Sequence, residues 1–426
     1  MATEYIKASN RQAQQQASDR STREKVQQLI SAVEEEGEPA IRRYSEQFDR
    51  WNPDAFRLSD EQIRRCIDSL DAQIIEDIRF AQQQIRHFAR AQRECLQDLE
   101  IETLPGVTLG HRNVPVASAG CYVPGGRYPI VASAHMSVVT AKEAGVERVI
   151  ACTPPVDGEP NAAIVASLAL GGADEIYLLG GVQALAAMAL GTSEITPVDM
   201  IVGPGNAFVS EAKRQLYGRV GIDLLAGPTE ILVLADDSAD AEMVATDLLG
   251  QAEHGPGSPA TLVTTCRQLA EATLGEIERQ LQTLATAEVA GRAWADHGEI
   301  RLVDDEQTMI KEANAIAAEH VEVLTREPRR HLATLKNYGS AFIGPETNVA
   351  YGDKVIGTNH ILPTLGAARY TGGLWVGKFI RTLTWQQCTP EASVEMGRYC
   401  SRLCALERFW GHKAQADLRL ARYTRV

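Results

Sequence analysis

Apolar and polar positions change rhythm along the chain, and the changes predict its elements. Over the first hundred residues the rhythm is helical. Ser59 and Asp60 precede apolar residues at Ile63, Cys66, Ile67, Leu70, Ile74 and Ile78, a spacing that puts them on one face of a helix capped at its start. The run QQQIRHFARAQR beyond it reads as a solvated helix surface. After about residue 107, short β-branched runs alternate with helical stretches. Val146–Ala151, Glu175–Leu179 and Asp199–Val202 read as strands, followed by helices from about Asn161, over Val182–Leu190 and over Ala207–Tyr217. Strand, Gly- or Pro-containing turn and helix, repeated, predict an α/β fold with parallel sheets and crossover helices. A second series opens with a strand at Glu230–Ala235 and a helix capped by Ser238 that runs to about His254, where Gly255-Pro256 stops it. Strands at Ala260–Thr265, Ile300–Val303, Val321–Thr325 and Ser340–Gly344 alternate with further helices. From about residue 375 apolar and charged positions mix, and a mostly helical packing arm is expected.

Composition narrows the class. At 426 residues, with 44% hydrophobic and 23% charged residues, the chain has the length for two to three domains and a sizeable core. The net charge of −14 and the lack of a long Lys/Arg run argue against nucleic acid or an anionic membrane as partner. No apolar run reaches the roughly 18 residues of a membrane-spanning helix, and the first 25 residues show no secretory h-region. A cytoplasmic location is expected. The eight cysteines form no CxxC pair and read as reduced, mostly buried small hydrophobes.

Several positions can carry chemistry. Gly203-Pro204-Gly205-Asn206 follows a strand and can present backbone N–H groups to a ligand, but Phe208 stands where a dinucleotide fingerprint needs its third Gly. Gln251 and His254 share a helix face, as two ligands or as a helix-end cap. Glu319-His320 sits where a helix gives way to a strand, as an acid/base pair or a polar turn. Asp353 and His360 lie in one Gly-containing stretch that reads equally as a solvated loop. His412, five residues beyond Glu407, lies on the C-terminal arm. Gln251, His254, Asp353 and His412 would form an N/O set suited to zinc or a similar divalent ion, though no spacing rule makes them meet.

The ordered blocks GCYVPGG (120–126), GGVQAL (180–185), VGPGNAFV (202–209), AGPTE (226–230), QAEHGP (251–256), EH (319–320), GDKVIGTNHILPT (352–364) and LERFWGHK (406–413) resemble the histidinol dehydrogenase family over nearly the whole chain. The resemblance implies a homodimer of two incomplete Rossmann-like domains. It would comprise an N-terminal arm (1–20), a first domain (21–121 with 230–374), a second domain (122–229) and a tail (375–426) that reaches the partner. It also implies zinc and NAD as cofactors, and oxidation of an alcohol to a carboxylate with two NAD. Position by position, it makes Gln251, His254, Asp353 and His412 the zinc ligands, with His412 given across the dimer. Glu319 and His320 become the acid/base residues, and Tyr122, Gln183 and Asn206 the NAD contacts. Thr229, His360 and Glu407 line the substrate site, Thr229 standing where the biosynthetic enzymes commonly have Ser.

One departure bears on the substrate. Histidinol is cationic, and the biosynthetic members tend to carry an acidic pair after the TNHVLPT-like block. Here Gly377 and Lys378 replace it, with Arg369 and Arg381 nearby, and Arg127 adds a cation after the Tyr122 motif. Cations at a site orient a substrate that bears a strong anion. The pattern is similar to family members that oxidise (R)-2,3-dihydroxypropane-1-sulfonate through sulfolactaldehyde to (R)-3-sulfolactate, and Arg127, Arg369 and Lys378 are the expected contacts to a small anionic hydroxy-sulfonate. Oxidation of L-histidinol to L-histidine is the alternative.

Overall fold

The computed structural model describes residues 3–9, 15–125 and 128–424. It comprises two compact units, Met1–Ala91 with Val116–Phe379, and Gln92–Pro115 with Ile380–Val426. In chain order the strands are β1 (Glu4–Lys7), β2 (Leu99–Leu104), β3 (Val107–Pro115), β4 (Ser118–Tyr122), β5 (Arg148–Thr153), β6 (Glu175–Leu178) and β7 (Met200–Val202). They continue with β8 (Gly221–Ile222), β9 (Ile231–Ala235), β10 (Ala260–Thr264), β11 (Gly298–Leu302), β12 (His320–Leu324), β13 (Ser340–Ile343) and β14 (Ile380–Cys388).

The larger unit holds two sheets. One has the order β1-β11-β10-β9-β12-β13, parallel except for β1, which runs antiparallel to β11. The other, β6-β5-β4-β7-β8, is parallel throughout. Strands such as β9 (ILVLA) and β10 (ATLVT) are buried at every position, the pattern of a sheet covered on both faces. In the second sheet the sequence leaves β4 to pair with β5 on one side and β7 on the other. That reversal opens a crevice at the carboxyl ends of the strands. Gly203 turns the chain there with φ 121°, and a Cβ at this position would collide with the Tyr122 carbonyl oxygen, so only glycine closes the turn.

Short polar side chains start the helices around these sheets. Asn161, Asn206, Asp240 and Asn348 each accept backbone N–H groups of the first turn they cap. Asp240, not Ser238, caps the helix Ala241–Ala252, while Ser238 donates to Asp236. The long early helix is also divided. Ser59 forms a capping box for Asp60–Asp68, the chain breaks after Ser69, and a second helix covers Ala72–Glu94. Cys66 and Ile78 are buried while Ile74 is exposed, so the apolar stripe drawn through all six residues is interrupted.

Packing cuts across the sequence-based division of domains. Val26, Leu29, Ile30 and Val33, from the helix Gln15–Glu36, join the core cluster of Tyr122, Ile150 and Tyr177 on the second sheet rather than the first. The smaller unit contains an antiparallel sheet, β14-β3-β2, and the helices Pro390–Glu407 and Trp410–Tyr423, which pack on each other. The tail is therefore not all helical, because β14 pairs with β3 over nine positions. Among the described residues no helix is long and apolar enough to cross a membrane.

Candidate active site

Parallel pairing of β9 with β12 sets His320 opposite Ile231. The residues just before each strand, Thr229-Glu230 and Glu319, therefore meet at the amino ends of the strands. Thr229 Oγ1 donates to Glu319 Oε2 at 2.5 Å, and the Glu230 amide donates to the same oxygen at 3.0 Å. Gln251, in the last turn of Ala241–Ala252, donates its Nε2 to Thr229 Oγ1 and lies 3.4 Å from His320 Nδ1. His320 Nδ1 also lies 3.0 Å from the Glu230 carbonyl. That carbonyl can only accept, so it fixes the proton on Nδ1 and leaves Nε2 as the reactive nitrogen. Nε2 is buried, has no hydrogen-bond partner, and stands 3.6 Å from Asp353 Oδ1.

Burial and charge act together on this group. Burial pushes Glu319 up to about 7, against the pull of His320, Thr229 and the Glu230 amide. Burial alone would lower His320, but Glu319, Asp353 and the Glu230 carbonyl outweigh it and push the imidazole up to about 9. Asp353 lies buried in the short helix Val349–Lys354, not in a solvated loop. Burial raises its carboxyl, yet His320, His360 and Lys354 hold it below the usual range, so it is a carboxylate. His254 follows the helix in a turn and its side chain touches solvent. Even so, the protein packed round the ring displaces enough water to lower its pKa, against the attraction of Asp353. His360 hydrogen-bonds Ser133 Oγ through Nε2 at 2.8 Å. Burial foremost pushes it down to about 4.

Gln251, His254, Asp353, Glu319, His320, His360 and Thr229 thus gather in the larger unit. Among the described residues no group of three or more His, Cys, Asp or Glu stands in metal-holding geometry. The donor chemistry nevertheless fits a divalent ion. With Nε2 of Gln251 engaged by Thr229, the amide oxygen is the remaining acceptor, and it joins a buried carboxylate and an imidazole within each other's electrostatic reach. The fourth expected ligand, His412, is exposed on the helix Trp410–Tyr423 of the smaller unit, its ring 5.6 Å from that of Phe409. Glu407, also exposed, ends the preceding helix.

The expected NAD contacts lie at the carboxyl ends of the second sheet. Tyr122 ends β4 and its hydroxyl accepts the Gly181 amide at 3.0 Å. Gln183, in the first turn after β6, donates to Asp49 Oδ2 at 3.0 Å. Asn206 caps the helix after β7, its oxygen accepting from Phe208 and Val209. Lys213 and Asp223, absent from the sequence reading, grip this turn. Lys213 Nζ donates to Asp223 Oδ1 at 2.6 Å and to the Gly203 carbonyl at 2.5 Å, and Asp223 Oδ2 accepts the Gly203 amide at 2.9 Å.

The expected sulfonate contacts find other partners. Arg369 donates to the Ala315 and Gly366 carbonyls, and Lys378 donates to Thr371 Oγ1 at 2.5 Å. Arg381, in the smaller unit, donates to the Pro115 carbonyl at 2.8 Å. Arg127 lies outside the described residues. Two further groups escaped the sequence reading. Glu322, on the same face of β12 as His320, is fully buried, accepts the Val349 amide at 3.0 Å, and meets the Asp247 carboxyl of the helix that carries Gln251. His135 stands buried in the apolar helix Val131–Ala144, where a lone imidazole was the available signal.

Known proteins resemble the chain over nearly its whole length. Residues 11–420 match the family model described as histidinol dehydrogenase. A protein of Shouchella clausii (strain KSM-K16), named histidinol dehydrogenase homolog, is 62% identical over 99% of each chain. The sulfopropanediol 3-dehydrogenase of Ruegeria pomeroyi is 43% identical over 99% of this chain and 97% of its own. The crystal structure of histidinol dehydrogenase from Elizabethkingia anophelis superposes with a TM-score of 0.89 at 32% identity, covering 94% of this chain and 92% of its own. As a family, histidinol dehydrogenases are NAD-dependent and zinc-binding oxidoreductases. This chain belongs to the histidinol dehydrogenase family.

Proposed function

We propose that the protein oxidises (R)-2,3-dihydroxypropane-1-sulfonate to (R)-3-sulfolactate in two NAD-dependent steps through sulfolactaldehyde. The observation that carries the chemistry is the buried Glu319–Thr229–Gln251–His320 set, in which the partners of each side chain fix its proton. In the first step the neutral form of His320, which gains population as pH rises toward about 9, takes the hydroxyl proton at Nε2 while a hydride passes from the carbon to NAD, leaving aldehyde and NADH, and the proton then passes to solvent. In the second, Glu319 and His320 remove a proton from water as it adds to the aldehyde. The resulting hydrate gives a second hydride to a second NAD and becomes the carboxylate. Holding the aldehyde among buried groups keeps it from side reactions. Gln251, His254, Asp353 and His412 would hold zinc, which when bound supplies Lewis acidity at the reacting oxygen.

The choice of substrate is supported by Gly377-Lys378 at the position of an acidic pair, and by the 43% identity to a sulfopropanediol 3-dehydrogenase. A homodimer is part of the proposal. His412 and Glu407 stand exposed in the smaller unit among the exposed Leu406, Phe409 and Trp410, an apolar setting suited to burial against a second copy. NADH formation from the sulfonate diol and from L-histidinol, measured side by side, tests the substrate. The expected preference for the sulfonate is roughly 100-fold or more in kcat/KM. The reverse preference would assign histidinol oxidation.

A further inference from the structure

The second sheet runs β6-β5-β4-β7-β8, so its first strand, β4, lies between β5 and β7, the order of a dinucleotide-binding sheet. In such sheets a carboxylate near the end of the second strand takes a ribose hydroxyl of NAD. Here that strand, β5, ends at Thr153 and runs into Pro154-Pro155, which offer no carboxylate. The first one beyond, Asp157, lies exposed in a tight turn closed by Val156 and Glu159. The acid is missing from its usual place in the chain.

A carboxylate reaches that place from outside the sheet. Asp49 ends the helix Glu38–Asp49 and is half-buried. Its Oδ2 accepts from Gln183 Nε2 at 3.0 Å, and the Gly180 amide hydrogen-bonds the same carboxyl. A Cβ at Gly180 would stand 2.6 Å from Pro154 Cβ and 3.0 Å from Asp49 Oδ2. Asp49 therefore stands beside the carboxyl ends of both β5 and β6. The Gly181 amide, next in the chain, donates to the Tyr122 hydroxyl, which draws Asp49, Gln183 and Tyr122 into one group. Gln183 and Tyr122 are expected NAD contacts; Asp49 is the third member. A carboxylate has about four acceptor sites, so Gln183 and Gly180 leave room for a ligand hydroxyl. Burial raises this carboxyl, the two bonds oppose the rise, and among the described residues no cation contributes.

We propose that Asp49 selects the cofactor, accepting a hydrogen bond from the adenosine ribose of NAD and repelling the 2′-phosphate of NADP. This rests on the NAD reading of the site and is independent of which alcohol is oxidised. An ionised acceptor strengthens the bond from a ribose hydroxyl, whereas a phosphate brings acceptor oxygens and like charge. The carboxylate also occupies the Gly180 amide at the start of the helix Gly181–Leu190, where a phosphate would otherwise find a donor.

The test uses the full-length enzyme, Asp49→Asn and Asp49→Ala, with NADH and NADPH titrated by their fluorescence in the absence of substrate. The wild type should bind NADH about 100-fold more tightly than NADPH, the scale of a like-charge clash. Asp49→Asn can still accept from Gln183 and Gly180, so its melting temperature should hold. It should weaken NADH about 10- to 100-fold, the scale of a hydrogen bond to a charged group, and leave NADPH unchanged or tighter. The ratio of kcat/KM for NAD and NADP should fall by the same factor. Asp49→Ala, which also releases Gln183, should weaken NADH further. Equal losses for NADH and NADPH in Asp49→Asn, or no change in either, would overturn the proposal and leave NAD as cofactor. A wild type that binds both nucleotides alike, or prefers NADPH, overturns it as well. A wild type that binds neither removes the NAD reading together with the proposal.

Discussion

Lys213→Met removes one partner of the buried ion pair that grips the Gly203–Asn206 turn. Both side chains are almost inaccessible, at 2% for Lys213 and 0% for Asp223. Each is hydrogen-bonded beyond the pair, Lys213 to the Gly203 carbonyl and Asp223 to the Gly203 and Leu224 amides. The substitution therefore leaves a buried carboxylate with two backbone donors and no counter-charge. Stranding one member of such a pair costs about 3–5 kcal/mol. At roughly 2–4 °C per kcal/mol for a domain of this size, calorimetry should show the melting temperature falling by on the order of 10 °C. Because the same ammonium anchors the turn that presents Asn206, KM for NAD should rise more than kcat falls. A loss below about 1 kcal/mol would refute the reasoning, since the pair would then behave as a solvated one. A lower melting temperature with an unchanged KM for NAD would separate the turn from cofactor binding.

Thr229→Val deletes a donor to Glu319 and an acceptor for Gln251. It should lower kcat about 10- to 100-fold and move the Glu319 limb of the pH–rate profile upward, because the lost hydrogen bond had lowered that carboxyl; Thr229→Ser should do neither. The Asp247–Glu322 pair shares a buried site in which both carboxyls are raised, Asp247 to about 6. Its contribution to stability is complete below the ordinary carboxylate range and is lost as pH rises through about 6 and above, so urea midpoints should fall from pH 4 to pH 8. Glu322→Gln, which still accepts from Val349 and donates to Asp247, should flatten that dependence. Glu322→Leu should cost about 1–3 kcal/mol and weaken zinc binding, measured by competition with a chromogenic chelator, because it frees the helix that carries Asp353. Mixing inactive His412→Asn with inactive His320→Asn, after subunit exchange, should restore about a quarter of wild-type activity if each site takes His412 from the partner. No recovery would place each site within one chain.

Much of this was legible in the sequence, for physical reasons that can be named. Continuous apolar runs gave β9 and β10 because a sheet covered on both faces has no polar alternation to hide. The helix starts expected at about Asn161 and at Ala207 fall within a residue of the observed ones, and the structure shows Asn161 and Asn206 as their caps. The strands β2 and β14 were not legible, since their residues are exposed on both faces and nothing imposes a period of two. Glu319 and His320 were found as neighbours, but their link to Thr229 and Gln251 depends on the register of β9 against β12, which no local spacing encodes. Glu322 shares the alternation of an edge-facing polar residue and is instead buried against Asp247, a long-range contact. The cations were read by type, yet Arg369 and Lys378 turn to nearby oxygens, while His135 gave only a lone imidazole in an apolar helix.

The four-electron oxidation of the sulfonate diol is tested most directly by stoichiometry. With limiting dihydroxypropanesulfonate, excess NAD and zinc-loaded enzyme, NADH is counted at completion and the product is identified by mass. Two NADH per substrate are expected, with 3-sulfolactate as the only product. One NADH per substrate with free aldehyde, or none while histidinol yields two, would contradict it.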